Sequence, residues 1–403
     1  MKVLRINTAA NKGGAAYSAM NIQDVVLNMG VESWMLSARG PQNLDKYLIS
    51  LNESKLQRYL NVFAYRLFGI EGYTNTKLWE PILDCLDKYD VIHLHNVHGY
   101  YMPSQVLEVL LSKPCVWTLH DYWLVTGGAG FPYHEKEKKS FWEKIFPFAR
   151  LRYPTEWVDR SKNRKKYLSK LIEKYEPSLV AITKDMSKKL KERGLESKKL
   201  NIIPHGLYSN ITPPDINIKK NRRKLGWPLD KHIFLFVSAQ VNNPLKGFDL
   251  FLEGLNRLEK KEKWAVYVIG DNYQLIKNKI SNKNIDIEFL GKVEQQNLKY
   301  YYRACDTYVS CSFAETYGRT VVEALAEGVR VVCTDLPVFR EVTAENALYF
   351  QPGDYKDLVK KLTKSFSLPL STGKQKKIAY EIRQRFSKKV MGQKYINLYE
   401  NCL

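Results

Sequence analysis

The stretch "FAETYGRTVVEALAEG", Phe313 to Gly328, decides the fold of the half of the chain that contains it. Before it runs "TYVSCS" and after it "VRVVCT", short β-branched and apolar runs of the kind that form buried strands. Between the two runs a loop turns into a helix. Two glutamates, Glu315 and Glu323, stand on either side of that helix start. The first N–H groups of a helix lack intrahelical partners, and its amino end carries a positive potential. The backbone from Thr316 to Thr320 is therefore a seat for an anion, phosphate above all.

Working outward, strands and helices alternate almost throughout. Toward the amino end stand "KVLRIN", "VESWML", "VIHLH" (Val91–His95), "CVWTLH" (Cys115–His120), "SLVAIT" (Ser178–Thr183) and "NIIPHG". A helix with Ala15, Ala19, Ile22, Val26 and Met29 at helical spacing follows the first of them and ends at Gly30. A polar, proline-bearing passage, "YSNITPPDINIKKNRRKLGWP", reads as a linker. A second alternation then begins with "FLFVS" (Phe234–Ser238), the loop "AQVNNPLKG" and the helix "FDLFLEGLNRLEK", and continues through "WAVYVIG", "IDIEFLG", "TYVSCS", "VRVVCT" and "ALYF". The spacing predicts an α/β chain of two doubly wound, Rossmann-like domains facing a central cleft. The expected bounds are 1–205 and 206–387, with a terminal helix over 388–403 crossing back to the first domain. Ligands of such sheets bind at the carboxyl ends of the strands, where the strand order reverses.

The totals agree with this reading. A chain of 403 residues, 44% hydrophobic and 12% aromatic, is long enough for two cores. No apolar run reaches the ~18–20 residues that span a bilayer. The opening "MKVLRINTAANKGG" reads as a first strand rather than a signal peptide. Six cysteines without paired short spacings read as reduced core residues of a cytoplasmic protein. The formal charge of +21 points to an anionic partner: nucleic acid, acidic membrane or a phosphorylated small molecule. About half of that excess lies between His134 and Leu200, where 20 Lys and Arg face 10 Asp and Glu.

A bent nucleotide sugar satisfies the Glu315–Glu323 arrangement, with its diphosphate on the helix start and one carboxylate for each set of hydroxyls. A glutamate pair at this spacing also arises on ordinary amphipathic helices; its setting between two strands gives it weight. The stretch "ETYGRTVVEALAEGVRVVCTDLPVFREV" resembles the signature of the family 4 glycosyltransferases, retaining nucleotide-sugar enzymes of the GT-B fold. The likeness extends over "NKGGAAYSAMNIQDVVLNMGVES", "DVIHLHNVHGYYM", "VWTLHDYWLVTGG", "NPLKGFDLFLEGL" and "FLGKVEQQNLKYYYRACDTYVSCS". In particular the chain is similar to enzymes that build bacterial surface polysaccharides such as O-antigen, capsule or exopolysaccharide.

The resemblance implies roles. Glu323 would hold the ribose hydroxyls, Glu315 a hydroxyl of the donor sugar, and Lys246 the diphosphate. Thr316, Tyr317, Gly318 and Arg319 complete the helix-start loop, and the base would lie against "FLGKV", which includes Val293. Gly13 and Gly14 match the place where the first domain reaches the donor phosphates. His120 would touch the donor sugar near the reacting carbon; with Glu315 and Lys246 it forms the expected catalytic set. Lys12, His98 and Tyr100 are candidates for the acceptor side, whereas His93 and His95, alternating in "VIHLH", read as core or wall residues.

Two departures from the family pattern stand out. No arginine precedes Lys246, where Gln240 and Leu245 occupy the expected places; Arg319 or Lys12 is the candidate replacement. His205 in "IIPHGL" stands where asparagine is common. The Asp-any-Asp triplet that holds a metal in glycosyltransferases of another fold is lacking, "DIE" (Asp286–Glu288) being nearest, so neither metal nor other cofactor is expected. The implied reaction is same-face transfer of a hexose from a UDP- or GDP-sugar to a hydroxyl of a growing, lipid-linked glycan. The segment 136–152, with Phe141, Trp142, Phe146 and Phe148 among lysines and arginines, suits the anionic inner face of the plasma membrane, or packs on its own domain. Other readings are a nucleotide-sugar epimerase of the same architecture, and a non-enzymatic basic protein that binds membrane or nucleic acid. No RNP or helix-turn-helix signal supports a nucleic-acid partner.

Overall fold

The computed structural model describes residues 1–10, 13–39, 47–131, 157–208, 210–259, 263–277, 285–367 and 371–403. The chain divides into two compact units, Met1–Gly206 with Lys388–Leu403, and Leu207–Ser387. Lys12 and the segment 136–152 lie outside the described residues.

The first unit holds a seven-stranded parallel sheet. Its strands are β1 (Lys2–Ala9), β2 (Glu32–Arg39), β3 (Leu48–Ser50), β4 (Val91–Leu94), β5 (Cys115–Leu119), β6 (Ser178–Ala181) and β7 (Leu200–Ile202). Their order is β3-β2-β1-β4-β5-β6-β7, so the order reverses between β1 and β4. Val3, Val91, Val116 and Val180 lie on one face of the sheet, the pairing stepping two positions along from Val91 to Val116 and again from Val116 to Val180. They pack against Ile22 and Val26 of the helix Gly14–Asn28 and against Tyr395 and Tyr399 of the terminal helix Lys388–Glu400. Side chains two positions on share that face, and there the sheet becomes polar: Arg5, His93 and Thr118. The buried valines supply the apolar area, and the polar row begins where the carboxyl ends of the strands approach.

The second unit holds a six-stranded parallel sheet: β8 (His232–Gln240), β9 (Trp264–Asp271), β10 (Ile287–Gly291), β11 (Thr307–Ser310), β12 (Arg330–Thr334) and β13 (Leu348–Phe350). Its order, β10-β9-β8-β11-β12-β13, reverses between β8 and β11. Phe234 and Phe236 of β8 bury against Phe248 and Phe251 of the helix Phe248–Arg257, with Phe236 and Phe251 stacked at 5.7 Å between centroids.

The passage read as a linker contains a helix, Ile218–Leu225. Asn217 caps its start and Gly226, at φ 70, ends it. Its one buried side chain is Arg222, which donates to the Ala304 and Lys231 carbonyls and pairs with Asp306. A helix anchored by an arginine has no apolar stripe, which is why its sequence reads as linker.

Candidate functional site

In the second unit the loops after β8 and β11 meet at the point where strand order reverses. The first carries the short turn Pro244–Lys246 and the second carries Glu315. The Phe313 N–H donates to the Leu245 carbonyl at 2.9 Å, tying the loops together. Gly247 has φ 67, and a Cβ there would stand 2.0 Å from the Cys311 carbonyl oxygen. Only glycine lets the two backbones approach this closely. The result is an ion pair: Lys246 Nζ lies 2.6 Å from Glu315 Oε1, with the two side chains 31% and 15% exposed. Ser312 Oγ donates to the same carboxylate oxygen at 3.1 Å.

The helix Arg319–Ala326 starts at Gly318, which has φ 79 and no side-chain cap; the Phe339 ring fills the space where a Cβ would be. Tyr317 is buried with its ring edge-on to Phe386, and Tyr308 donates to Thr320 at 2.7 Å. These contacts hold the loop from Thr316 to Arg319 beyond the end of β11.

Glu323 lies on the buried face of that helix, 5% exposed. Gln295 Nε2 donates to its Oε1 at 2.5 Å and Tyr302 OH to its Oε2 at 3.1 Å. Burial raises its pKa to about 7 against the opposing effects of Arg319, Tyr302 and Gln295, and Glu327 adds to the rise. Glu327, one turn on, is held by Arg303 and Arg383, each at 2.6 Å. Gln295 and Tyr302 were not singled out in the sequence; they sit in and just after the loop that carries Val293, which is half-buried beyond β10. Each Glu323 oxygen has a second lone pair, so the carboxyl can take further hydrogen bonds. The positions noted for a missing arginine do not make a clamp: Gln240 is exposed at the end of β8 and Leu245 is apolar. Arg319 is the cation that acts most strongly on Glu323.

In the first unit the polar side chains of the sheet are linked by hydrogen bonds at its centre. Arg5, 0% exposed, donates to Tyr399 OH and meets His93 Nδ1 at 2.8 Å. His93 Nε2 meets Thr118 Oγ1 at 2.8 Å, and Thr118 meets Tyr395 OH at 2.9 Å. One layer nearer the carboxyl ends, His95 Nδ1 meets His120 Nε2 at 3.0 Å. The rings of His93, His95, His120 and His205 stack in series, with centroid spacings of 4.2, 5.3 and 5.3 Å. Burial, and then neighbouring positive charge, push the pKa values of His93 and His95 well below the usual histidine value. His205 thus closes a column of imidazoles at the β4–β5 carboxyl ends.

Gly13, at φ 92, begins the helix after β1, and Gly14 follows; a Cβ on either would meet nothing within 4 Å. His98 lies in the loop after β4, its Nε2 2.8 Å from Asp121 Oδ2. Burial lowers the His98 pKa, but the Asp121 charge and hydrogen bond outweigh that and raise it overall. Tyr100, at φ 78, is a non-glycine residue in the left-handed region. Its N–H donates at 2.7 Å to Glu71, a buried carboxylate that the sequence did not flag and whose burial raises its pKa to about 7. Asp286 pairs instead with Lys231 at 2.6 Å, at the amino end of β10 and away from both loop sets. Among the described residues, no group of three His, Cys, Asp or Glu side chains is arranged to hold a metal.

Comparison with known proteins completes the picture. Residues 12–208 match the Glycosyltransferase Family 4 domain, and residues 217–385 the Glycosyl transferases group 1 domain. Over 275 residues the chain is 24% identical to the O-antigen chain mannosyltransferase RfbU of Salmonella typhimurium, covering 64% of this chain and 67% of the relative. It is 27% identical over 227 residues to the mannosylfructose-phosphate synthase of Agrobacterium fabrum, covering 52% of this chain and about half, 50%, of that protein. The lipopolysaccharide core mannosyltransferase LpsB of Rhizobium meliloti is 28% identical over 171 residues, covering 39% of this chain and 48% of the relative. Among solved structures, sucrose-phosphate synthase from Thermosynechococcus elongatus superposes with a TM-score of 0.74 at 15% identity, covering 99% of this chain and 98% of that one. Anabaena HepE in complex with UDP-glucose superposes with a TM-score of 0.70 at 17% identity, covering 100% of both chains. With two parallel-sheet α/β units and both domain matches, the chain belongs to the family 4 glycosyltransferases of the GT-B fold.

Proposed function

We propose that the chain is a retaining glycosyltransferase that moves a hexose from a nucleoside diphosphate sugar to a hydroxyl of a growing, lipid-linked bacterial surface glycan. The observation that carries this reading is the Lys246–Glu315 pair at 2.6 Å, at the strand-order reversal of the second unit. It joins a cation suited to a diphosphate and a carboxylate suited to a sugar hydroxyl at one hydrogen-bond length. A donor sugar and its diphosphate are covalent neighbours, so their recognition groups must be neighbours too.

Each part then has a task. The Lys246 ammonium has three donors, of which Glu315 takes one; the others meet the leaving diphosphate and offset its developing charge. The amino end of the helix Arg319–Ala326 adds its dipole to the same oxygens. Glu315 orients the sugar, and Glu323 takes the ribose hydroxyls while Gln295 and Tyr302 fix its position. The base lies against the loop that holds Val293. In the first unit, Gly13, Gly14 and His120 serve the donor, and Lys12, His98 and Tyr100 the acceptor. The acceptor hydroxyl attacks from the face the diphosphate leaves, and a leaving phosphate oxygen takes its proton. The C1–O bond to phosphate breaks as the C1–O bond to acceptor forms, with no metal or resident cofactor in the step.

The relatives named for O-antigen and lipopolysaccharide core mannosyl transfer support the surface-glycan acceptor, and HepE, whose structure holds UDP-glucose, supports the donor class. The test is thermal unfolding against UDP, GDP, CDP, ADP and their common sugars. A ligand at about 100 times its Kd adds roughly 2.7 kcal/mol, a shift of several degrees. Selective stabilisation by one nucleoside diphosphate and its sugar is expected. No shift with any of them would overturn the reading.

A further inference from the structure

The helix Lys55–Phe68 buries Ala64 and Tyr65 but presents a stripe of larger apolar side chains outward. A capping box of Ser54 and Gln57 starts it, and Gly69 in the left-handed region ends it. Its inward face is held by polar contacts: Asn61, 0% exposed, bonds to Glu53 at 2.6 Å, to Asn75 at 2.9 Å and to the Thr74 N–H at 2.7 Å. The outward face carries Leu56, Tyr59, Leu60 and Phe63, which are 69%, 74%, 43% and 50% exposed. Their spacing of three, four and seven is the stripe that an ordinary surface helix buries in a core. Phe68 at the helix end and Ile70 and Tyr73 after it are also exposed, and Trp157 packs edge-on to Phe63 at 6.0 Å. An exposed apolar surface of this extent marks an interaction site.

The charges on the same surface restrict the partner. Lys55 is exposed at the flank of the stripe, and Arg66, on the same flank, lies over the Trp157 ring at 5.8 Å. The 14 residues of the helix include no acid. Past Trp157, the helix Ser161–Tyr175 adds Lys162, Lys166 and Lys170, all exposed. A second copy of the chain meeting this patch about a twofold axis would set cations against cations. Tyrosine and tryptophan beside aliphatic and basic side chains match the interface of an anionic bilayer, where rings lie at headgroup depth and ammonium and guanidinium groups reach the phosphates.

We propose that the outward face of Lys55–Phe68, with Tyr73 and Trp157, docks on an anionic lipid surface and holds the enzyme there. The inference deepens the lipid-linked acceptor of the proposed function and rests on that reading for its purpose. Its test uses no nucleotide, so it succeeds or fails apart from the donor site. The full chain is sedimented with vesicles of phosphatidylcholine alone and of phosphatidylcholine with phosphatidylglycerol. Wild-type protein should bind the mixed vesicles, and bind them less as salt rises. The triple variant Leu56→Ser, Tyr59→Ser, Phe63→Ser should lose binding by about tenfold or more, with an unchanged thermal transition showing that it folds. Lys55→Glu with Arg66→Glu should reduce binding to the mixed vesicles. The proposal is overturned if wild-type protein leaves the mixed vesicles unbound, or if the triple variant binds as wild type does, attachment then lying in another segment such as 136–152. It is equally overturned if ultracentrifugation shows a wild-type dimer that the triple variant abolishes.

Discussion

Lys246 and Glu315 stand 2.6 Å apart although 69 positions of chain separate them. The contact exists because β8 and β11 are neighbours across the strand-order reversal and because Gly247 lets the two loops touch. On the proposed reading, a charge pair this close at the carboxyl ends of parallel strands couples recognition of a sugar to recognition of its leaving group. Lys246→Met should therefore lower kcat by about a hundredfold or more, in the range found when one group stabilising developing negative charge is removed. KM for the donor should change less. Steady-state kinetics with the donor found by thermal shift decide this; an unchanged kcat would remove Lys246 from the step.

Gly247→Ala tests how the pair is held. A Cβ would lie 2.0 Å from the Cys311 carbonyl oxygen, on a residue at φ 67. The loop cannot keep its path, and a cost of about 1–3 kcal/mol follows from the backbone strain. Nucleotide binding should fall with it. Gly13→Ala also places alanine at positive φ, yet its Cβ would meet nothing within 4 Å. It should lower the melting temperature less than Gly247→Ala does.

Glu323 makes stability depend on pH. Its folded pKa of about 7 is raised by burial above the unfolded value, so the folded state holds the proton more tightly than the unfolded chain. The resulting stabilisation is complete below the unfolded pKa and disappears as pH rises through the folded one. Glu323→Gln mimics the protonated form and should be free of this loss. The melting temperature of wild type relative to Glu323→Gln should therefore fall between about pH 5 and pH 8, by an amount equivalent to at most roughly 3 kcal/mol. A constant difference across that range would mean that Glu323 is ionised throughout. Glu71, also raised to about 7, shifts wild type and variant alike and cancels from the comparison.

Tyr399 closes the buried network of the first unit, accepting from Arg5 and meeting His93 Nδ1 at 2.7 Å. Tyr399→Phe leaves a buried guanidinium short of an acceptor and should cost about 1–3 kcal/mol. Tyr395→Phe breaks one bond to Thr118 and should cost less. Calorimetric scans that resolve the transition of the first unit check the order; a reversed order would contradict this account of what the terminal helix contributes.

Much of the fold was legible because buried parallel strands have a plain signature. "VIHLH" and "CVWTLH" read as strands at once, and their histidines lie on one face as alternation requires. The Glu315 loop was legible for the same reason, since a strand leads into it and the helix that follows leads to another strand. What could not be read depended on partners remote in sequence. Gln295 and Tyr302 gain meaning only where they meet Glu323. The helix Ile218–Leu225 was hidden because an arginine, not an apolar stripe, anchors it. Glu71 gave no signal because its task is to hold the strained N–H of Tyr100, a backbone feature.

The central claim is that Glu323 and Lys246 form a nucleoside diphosphate site on the second unit. Isothermal titration of the nucleoside diphosphate selected by thermal shift, into wild-type chain and into Glu323→Ala, tests it most directly. The account expects wild type to bind and Glu323→Ala to bind at least about tenfold more weakly, the loss of roughly 1.4 kcal/mol that a hydrogen bond to a charged acceptor supplies. Equal affinities in the two proteins would contradict it.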